Sequence, residues 1–311
     1  MTDSRAFLTR SAALASIALA LALAVLKGWA AWQTGSTAML GSLADTALDL
    51  VASLATLVGV WVAAQPADES HRFGHGKAEA LAAMIQVILI ALSATAIGFR
   101  AITRLVEGGR TDSAAEGIGV SLVAIVATLA LLAWQRHVIR RTGSLAIRTD
   151  NVHYQSDLLL NLAVIAALAL DQYLGLHRAD PLFGLAIAAW LLWNAWRASR
   201  EAVDNLMDRE WPEEKRQRFV EHAARHPELS RLHDLRTRTS GHRDFAQFHV
   251  DLPPAMTVAA AHAVIERVEA DLCAAFPDLE LLIHIDPEGH VDEPGNALVE
   301  DDEFARLESK P

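Results

Sequence analysis

Two pairs of potential metal ligands stand out in this sequence because each pair interrupts a long apolar segment. Asp45 and Asp49 lie in MLGSLADTALDLVASLATLVGVW, and His153 and Asp157 lie in NVHYQSDLLLNLAVIAALAL. A spacing of four residues places the members of each pair on one face of a helix. Three carboxylates and one imidazole form a four-ligand set that suits the tetrahedral coordination of Zn²⁺. The pattern predicts a divalent-metal site between two facing helices.

These side chains would be costly if the apolar segments cross a membrane. A mid-helix aspartate costs roughly 2.5–3.5 kcal/mol on insertion scales, so three bare ones would cost on the order of 8–10 kcal/mol. Lys27, in the first apolar segment, either pairs with one aspartate or snorkels toward the interface. A bound cation or a water-filled cavity is therefore expected beside the aspartates.

The donor set narrows the choice of ion. Mg²⁺ prefers six oxygen ligands and Ca²⁺ more than four, so His153 favours a transition metal. Zinc fits best, while cadmium, ferrous iron, cobalt and manganese accept the same donors. Protons compete for these ligand atoms, so metal binding releases protons and protonation ejects metal. Metal export in exchange for protons is the predicted function.

Three other functions use the same residues. A metal-selective channel would need no proton gradient. A membrane metal sensor would need a signalling domain, and none follows the C-terminal segments. An intramembrane metal enzyme would need an open coordination position, and the H-E-x-x-H pattern of zinc proteases is absent. We therefore expect a secondary active transporter and no enzyme.

The elements that must position these ligands are six apolar segments. The chain has 311 residues, 52% of them hydrophobic, and the long apolar runs precede residue 205. A helix crosses the hydrocarbon core with about 20 apolar residues. An all-α transmembrane domain over residues 1–207 is predicted. Its six spans cover residues 7–32, 37–63, 80–106, 114–136, 146–171 and 181–203.

Lysine and arginine indicate the orientation. Ten of these residues lie on the side of the chain ends and four on the other side, which predicts that both termini are cytosolic in a bacterial inner membrane. The ten are Arg5, Arg10, Arg72, Lys77, Arg136, Arg140, Arg141, Arg148, Arg197 and Arg200; the four are Arg100, Arg104, Arg110 and Arg178. The net charge of −11 excludes a nucleic-acid partner.

The sequence after residue 207 has the periodicity of a soluble domain. Helices are predicted at 212–226 and 257–276, and strands at 235–240, 244–252 and 279–286. The order αββαβ predicts an α+β, ferredoxin-like cytosolic domain over residues 208–290. The acidic segment 291–311 is predicted to be a disordered tail. Cys273, the single cysteine, cannot form an internal disulfide and is interpreted as a small buried hydrophobic residue, so the metal sites are expected to use oxygen and imidazole ligands.

Taken together, the two ligand pairs and the stretch QPADESHRFGHGKAEALAA at 65–83 resemble the cation diffusion facilitator family, most closely its bacterial zinc and ferrous-iron efflux pumps. The resemblance covers roughly residues 7–290. It implies a homodimeric metal/proton antiporter in the lipid bilayer. The implied transport site is Asp45, Asp49, His153 and Asp157, and a Lys77–Asp208 salt bridge would help lock the dimer.

Two further metal sites are predicted outside the membrane. Asp68, His71 and His75 are spaced so that they can surround one ion, and the resemblance implies metal at these loop positions. In the last predicted strand, alternation places His284 and Asp286 on one face. The resemblance implies a cytosolic zinc site, structural or regulatory, whose ligands are His233, His249, His262, His284 and Asp286.

Overall fold

A computed structural model describes residues 2–34, 37–107, 118–174, 179–290, 293 and 295–309. The chain divides into two compact units, residues 1–203 and 204–311. The predicted loop at 108–113, with Arg110, lies outside the described residues, as does Arg178 in the loop before the sixth helix.

The described part of the first unit contains long helices at all six predicted positions. Four satisfy the length and composition of a membrane span: Ser4–Gln33, Asp45–Ala63, Ala78–Val106 and Val123–Thr142. The fifth and sixth helices have 30 and 28 residues, enough to span, but are interrupted by more polar side chains. The helices are α1 Thr2–Thr34, α2 Thr37–Ala63, α3 Ala78–Glu107, α4 Ile118–Thr142, α5 Leu145–Leu174 and α6 Ala179–Leu206.

Small side chains allow these helices to pack closely, as is usual in membrane proteins. At Gly59 of α2, an added Cβ would lie 2.3 Å from the Cβ of Ala82 on α3. Ala12 of α1 and Ala146 of α5 are also fully buried in a cluster that includes Ala82. Large apolar side chains such as Val25 and Phe99 remain exposed on the outer faces, as expected where lipid covers them.

The second unit confirms the predicted order αββαβ. Its elements are α7 Glu213–Ala223, β1 Leu232–Ser240, β2 Arg243–Leu252, α8 Val258–Ala275 and β3 Leu279–Pro287. The strand order is β1-β2-β3, with β1 antiparallel and β3 parallel to β2. Apolar side chains of β2, among them Phe248 and Val250, pack against α7 and α8 to form the core. The first strand begins at Leu232, three residues before the predicted start, so that His233 lies within it.

The tail corrects the prediction of disorder for residues 295–309. These residues form two short helices, α9 Ala297–Glu300 and α10 Glu303–Ser309. Val299 is buried, and Phe304 and Leu307 pack against the core of the second unit. The prediction failed because it weighed the overall acidity and overlooked these three spaced apolar side chains, whose burial offsets the ordering entropy.

Candidate metal centres

Asp49, His153 and Asp157 form a compact group between α2 and α5. One potential ligand atom from each lies within 4.8 Å of the others. The Nε2–H of His153 donates to Oδ1 of Asp49 over 3.0 Å, and Nε2 lies 4.0 Å from Oδ2 of Asp157. His153 is 7% exposed. Two carboxylates and an imidazole at this spacing can close around one divalent cation with only side-chain adjustments.

Asp45 lies one turn before Asp49 on α2 but outside this compact group. Its side chain is exposed, and its charge lies within electrostatic range of Asp157. Lys27 of α1 donates from Nζ to Oγ1 of Thr46 over 2.7 Å, which brings its charge beside the same turn of α2. The structure thus brings together three of the four predicted membrane ligands and places the fourth at their border.

A buried polar layer lies beside the three ligands, and our sequence reasoning missed it. Asp150 of α5 is fully buried and accepts hydrogen bonds from Ser16, Gln86 and Gln135, which belong to three other helices. The available signal was a fourth carboxylate three residues before His153, together with one glutamine in each of two apolar spans.

The loop between α2 and α3 brings together Asp68, His71 and His75 as predicted. Nε2 of His75 lies 3.3 Å from Oδ2 of Asp68, and Nδ1 of His71 lies 3.5 Å from Oδ1. Gly74, with φ +80°, allows the turn that returns His75 to the aspartate. Nδ1–H of His75 donates to the carbonyl of Pro66, which leaves Nε2 directed at the carboxylate.

Backbone hydrogen bonds in the loop favour the ionised form of the Asp68 carboxylate. It accepts from the backbone N–H groups of His71 at 2.7 Å and Ser70 at 2.9 Å. The His71 bond first, and the Ser70 bond in addition, lower the pKa of Asp68 below its ordinary value of 3.8. An ionised carboxylate and two imidazoles make a solvent-accessible site with room for water as a further ligand.

Strand register builds the cytosolic cluster. His233, His249 and His284 are direct lateral partners on β1, β2 and β3. Asp286 follows two residues after His284 on the same face. Its Oδ2 lies 2.8 Å from Nδ1 of His249 and 3.4 Å from Nε2 of His233, and its Oδ1 lies 3.4 Å from Nε2 of His284. One central carboxylate therefore touches three imidazoles.

His233 and Asp251 are buried polar side chains that lie next to each other in this region. Both ring nitrogens of His233 and Oδ1 of Asp251 are buried without a hydrogen bond, although Nδ1 and Oδ1 are 3.6 Å apart. Burial lowers the pKa of His233 below 6.5 and raises the pKa of Asp251 above 3.8. The neutral imidazole that a metal requires is thus favoured. Sequence reasoning did not identify Asp251 or Asp234, whose Oδ2 lies 3.8 Å from Nε2 of His249.

The predicted ligand His262 and the single cysteine, Cys273, are not part of this cluster. His262 on α8 is largely exposed, and its Nε2 lies 3.4 Å from Oε1 of Glu266. The structure therefore does not bring His262 to His249 within one chain. Cys273 is half-buried, and burial raises the pKa of its thiol. A protonated thiol is a poor metal ligand, in keeping with a role in packing.

The predicted Lys77–Asp208 pair spans the two units. Lys77 precedes α3 in the first unit, and Asp208 follows α6 in the second. Within its own unit, Asp208 lies 3.6 Å from Nη1 of Arg238 through Oδ1. The salt bridge between Lys77 and Asp208 stays a prediction.

Comparisons with known proteins cover both units of the chain. A family model described as the cation efflux transmembrane domain matches residues 13–207, and one for the cation efflux cytoplasmic domain, a dimerisation domain, matches residues 211–288. The cation-efflux pump FieF of Klebsiella pneumoniae is 42% identical over 287 residues, covering 92% of this chain and 95% of that protein. FieF of Yersinia pestis strain Pestoides F is 44% identical over 278 residues, covering 89% and 92%.

Solved structures match about a quarter of this chain. The zinc form of the putative zinc transporter CzrB is 33% identical, covers 27% of this chain and 97% of that chain, and has a TM-score of 0.25. The metal-bound C-terminal domain of the CzcD transporter from Thermotoga maritima is 22% identical, with coverages of 26% and 99% and a TM-score of 0.25. The two family models and the FieF relatives together show that this chain belongs to the cation efflux family, the cation diffusion facilitators, and is a membrane transporter of metal cations.

Proposed function

We propose that this protein exports zinc from the cytoplasm across the inner membrane in exchange for protons. The observation that carries the proposal is the approach of Asp49 and His153 to 3.0 Å, with Asp157 beside them, between two membrane helices. Ionisable groups in a span are retained where they serve an ion pathway. Here they converge as a ligand set, as transport through this centre requires.

Zinc is favoured by the donors. The compact group supplies one nitrogen and two carboxylate oxygens, and Asp45, one turn away, is the nearest candidate for a fourth ligand. A tetrahedral site of this kind suits Zn²⁺, whereas Mg²⁺ would demand octahedral oxygen. Cadmium and ferrous iron are the competing substrates, since their preferred donors overlap with those of zinc.

Proton exchange follows from competition for the same atoms. The Nε2–H of His153 donates a hydrogen bond to Oδ1 of Asp49, and this nitrogen must lose its proton before it can bind zinc. Each transport cycle then releases protons to the cytosol when zinc enters and takes up protons from outside when zinc leaves. An exchange of one proton for one Zn²⁺ moves one net charge outward against about 2.3 kcal/mol per 100 mV. Export therefore needs a pH gradient or more than one proton per cycle.

The remaining predicted sites take regulatory roles in this proposal. Zinc at His233, His249, His284 and Asp286 tightens the dimer when cytosolic zinc is high. His262 is a candidate to complete that site, and the loop site at Asp68 binds zinc more weakly. The Lys77–Asp208 pair would hold the membrane units together in the dimer, with both termini in the cytosol.

Zinc-driven proton flux in proteoliposomes tests the proposal. The native protein is compared with Asp49→Ala, and with Glu69→Ala as a control that removes a carboxylate outside the three clusters. We expect flux that follows an imposed pH gradient in the native and control proteins and is lost in Asp49→Ala. Zinc flux that ignores the gradient would indicate a channel. Equal flux in all three proteins would exclude the membrane centre as the pathway.

A further inference from the structure

Asp150, which is outside every predicted metal site, is a fully buried carboxyl group of the membrane unit that accepts three hydrogen bonds. Oδ2 accepts from the hydroxyl of Ser16 at 2.6 Å and from Nε2 of Gln135 at 2.7 Å. Oδ1 accepts from Nε2 of Gln86 at 2.9 Å. These donors come from α1, α4 and α3, while Asp150 itself belongs to α5. One carboxyl group therefore links four helices.

The network also reaches α2, the helix that carries Asp49. Nε2 of Gln86 donates to Oγ1 of Thr56 as well as to Asp150, and lies 3.3 Å from the carbonyl of Ala52. On the other side, Nδ2 of Asn151 donates to Oε1 of Gln135 over 2.9 Å. Gln135 is thus held at both ends of its amide, whereas Gln86 is held through Nε2 alone and its Oε1 is buried without a hydrogen bond. Each glutamine presents its amide N–H to the Asp150 carboxyl.

A second connection runs through Tyr154, the residue after His153. Its hydroxyl donates to the carbonyl of Ser16 over 3.0 Å and lies 3.0 Å from the hydroxyl of Ser53. Ser53 is one helical turn beyond Asp49 on α2, and Asp150 is one turn before His153 on α5. Bonds from Ser16 therefore reach α5 at two places, one on each side of His153.

This geometry has a consequence for the metal ligands. Ligand atoms must lie within about 0.2 Å of the distance a metal prefers, so a small rotation or slide of α5 removes His153 or Asp157 from the centre. The three side chains that donate to Asp150, a serine and two glutamines, are uncharged. Each of these hydrogen bonds joins α5 to a different helix. Hydrogen bonds that a carboxylate accepts are stronger than hydrogen bonds between neutral groups.

We propose that Asp150 is a positioning residue for metal transport: by tying α5 to α1, α3 and α4, it holds His153 and Asp157 opposite Asp49. The inference rests on the proposed assignment of those three residues as the membrane metal centre. Asp150 does not bind the metal in this proposal. Outer partners that orient metal ligands typically affect metal affinity by 10–100-fold when they are replaced, and we expect that range here.

Exchange of two side chains separates positioning from general damage. Asp150→Asn removes the carboxylate, whereas Asp150→Asn combined with Gln135→Glu moves it across the same hydrogen bond. In the exchanged pair, the asparagine oxygen accepts from Gln86 and its amide donates to the new carboxylate. That carboxylate can also accept from Ser16 and Asn151, so each of these groups keeps a hydrogen-bond partner and the charge is conserved.

The measurement is zinc affinity of the full-length protein in nanodiscs by equilibrium dialysis. A background with His75→Ala and His249→Ala weakens the loop and cytosolic sites, and thermal melting monitors folding. We expect Asp150→Asn to weaken zinc binding by 10-fold or more and the exchange to restore it to within threefold. Thr9→Val is the control, because the buried Thr9 hydroxyl bonds only to carbonyls of its own helix; it should leave affinity unchanged.

Either of two results would overturn the inference: binding within twofold of the parent in Asp150→Asn, or an exchange no tighter than the single variant. If Asp150→Asn does not fold, Gln135→Leu keeps the carboxylate and removes one of the hydrogen bonds that it accepts. An unchanged zinc affinity in Gln135→Leu refutes the positioning role of Asp150. His153→Ala in the same background distinguishes a failure of the proposed metal centre from a failure of the positioning role of Asp150. Undiminished binding in that variant rejects the proposed metal centre itself, whereas loss there with normal binding in Asp150→Asn rejects only the role of Asp150.

Discussion

The contact between α2 and α3 at Gly59 allows a graded test of how tightly the membrane helices pack. A Cβ at Gly59 would lie 2.3 Å from the Ala82 Cβ and 3.2 Å from the Ala78 carbonyl oxygen. Ordinary contact begins at 3.4 Å, so α2 and α3 must separate by about 1.1 Å (3.4 minus 2.3) to accept Gly59→Ala. Neither obstacle can rotate away, because one is a Cβ methyl and the other is backbone.

The expected cost follows from this separation. Overpacking of a close-packed interior costs typically 1–3 kcal/mol, and a rigid neighbour places Gly59→Ala at the upper end. Alanine gains about 1 kcal/mol over glycine in helix propensity. The net destabilisation should therefore be about 2 kcal/mol. The same shift loosens α2 against Gln86 of α3, so zinc affinity of the membrane centre should fall as well.

Two other helical glycines provide matched controls. At Gly184 the nearest atom, the Ala101 Cβ, lies 3.2 Å away, and at Gly28 the nearest atom lies 3.8 Å away at Leu43. SDS-induced unfolding of the three alanine variants should rank Gly59→Ala as least stable and Gly184→Ala as intermediate. Gly28→Ala should be unchanged or stabilised. If Gly59→Ala is as stable as Gly28→Ala, the close approach of α2 and α3 is refuted.

Three further outcomes are expected. Asp68→Asn should lower the zinc bound per chain by the loop equivalent, measured by equilibrium dialysis, whereas Glu69→Gln should not. Burial lowers the pKa of His233 in the folded domain below 6.5. As the pH falls from about 7 toward this lower pKa, the histidine takes up a proton in the unfolded chain but not in the folded domain. The metal-free protein should therefore lose stability over that interval, and His233→Gln should flatten the pH dependence of the melting temperature of the cytosolic domain; an unchanged slope contradicts the assignment. Phe304→Ala should lower the stability of that domain by about 2 kcal/mol in a urea titration, roughly half the cost of a fully buried phenylalanine, since Phe304 is only partly buried. No effect would mean that the tail helices do not support the domain.

The parts of the fold that the sequence predicted are those with a local signal. Helix positions followed from runs of apolar residues, and the strands followed from alternation such as that of Ala246, Phe248 and Val250, all of which are buried. The ends of elements were predicted less accurately. β1 begins at Leu232 because Leu232 and His233 pair with β2 before a bulge that lies between His233 and Arg236, and a bulge leaves no periodic pattern in the sequence.

The prediction of a disordered tail was wrong for a different reason. Composition averages over a segment, and the average here is acidic. Folding depends on where its few apolar side chains lie: Val299 is buried, and Phe304 and Leu307 pack against the core of the second unit. Arg216 also pairs with Glu303, so part of the acidity is matched by the domain itself. Such long-range complementarity cannot be read from either segment alone.

The membrane centre shows the same division between local and distributed information. Asp49, His153 and Asp157 were found because ligand pairs repeat at four residues on one helix, a spacing that a single span reveals. The support around Asp150 contributes one residue per helix, at Ser16, Gln86 and Gln135, so no span contains a pattern. Asp150 itself stands five residues after the start of α5, where a lone carboxylate is indistinguishable from a residue near a helix boundary. Packing of α1, α3 and α4 around that position is what turns it into a buried group whose hydrogen bonds must all be satisfied. The proposed ligands of this transporter can therefore be predicted from sequence, whereas the hydrogen bonds that link their helices become visible only when the helices are assembled.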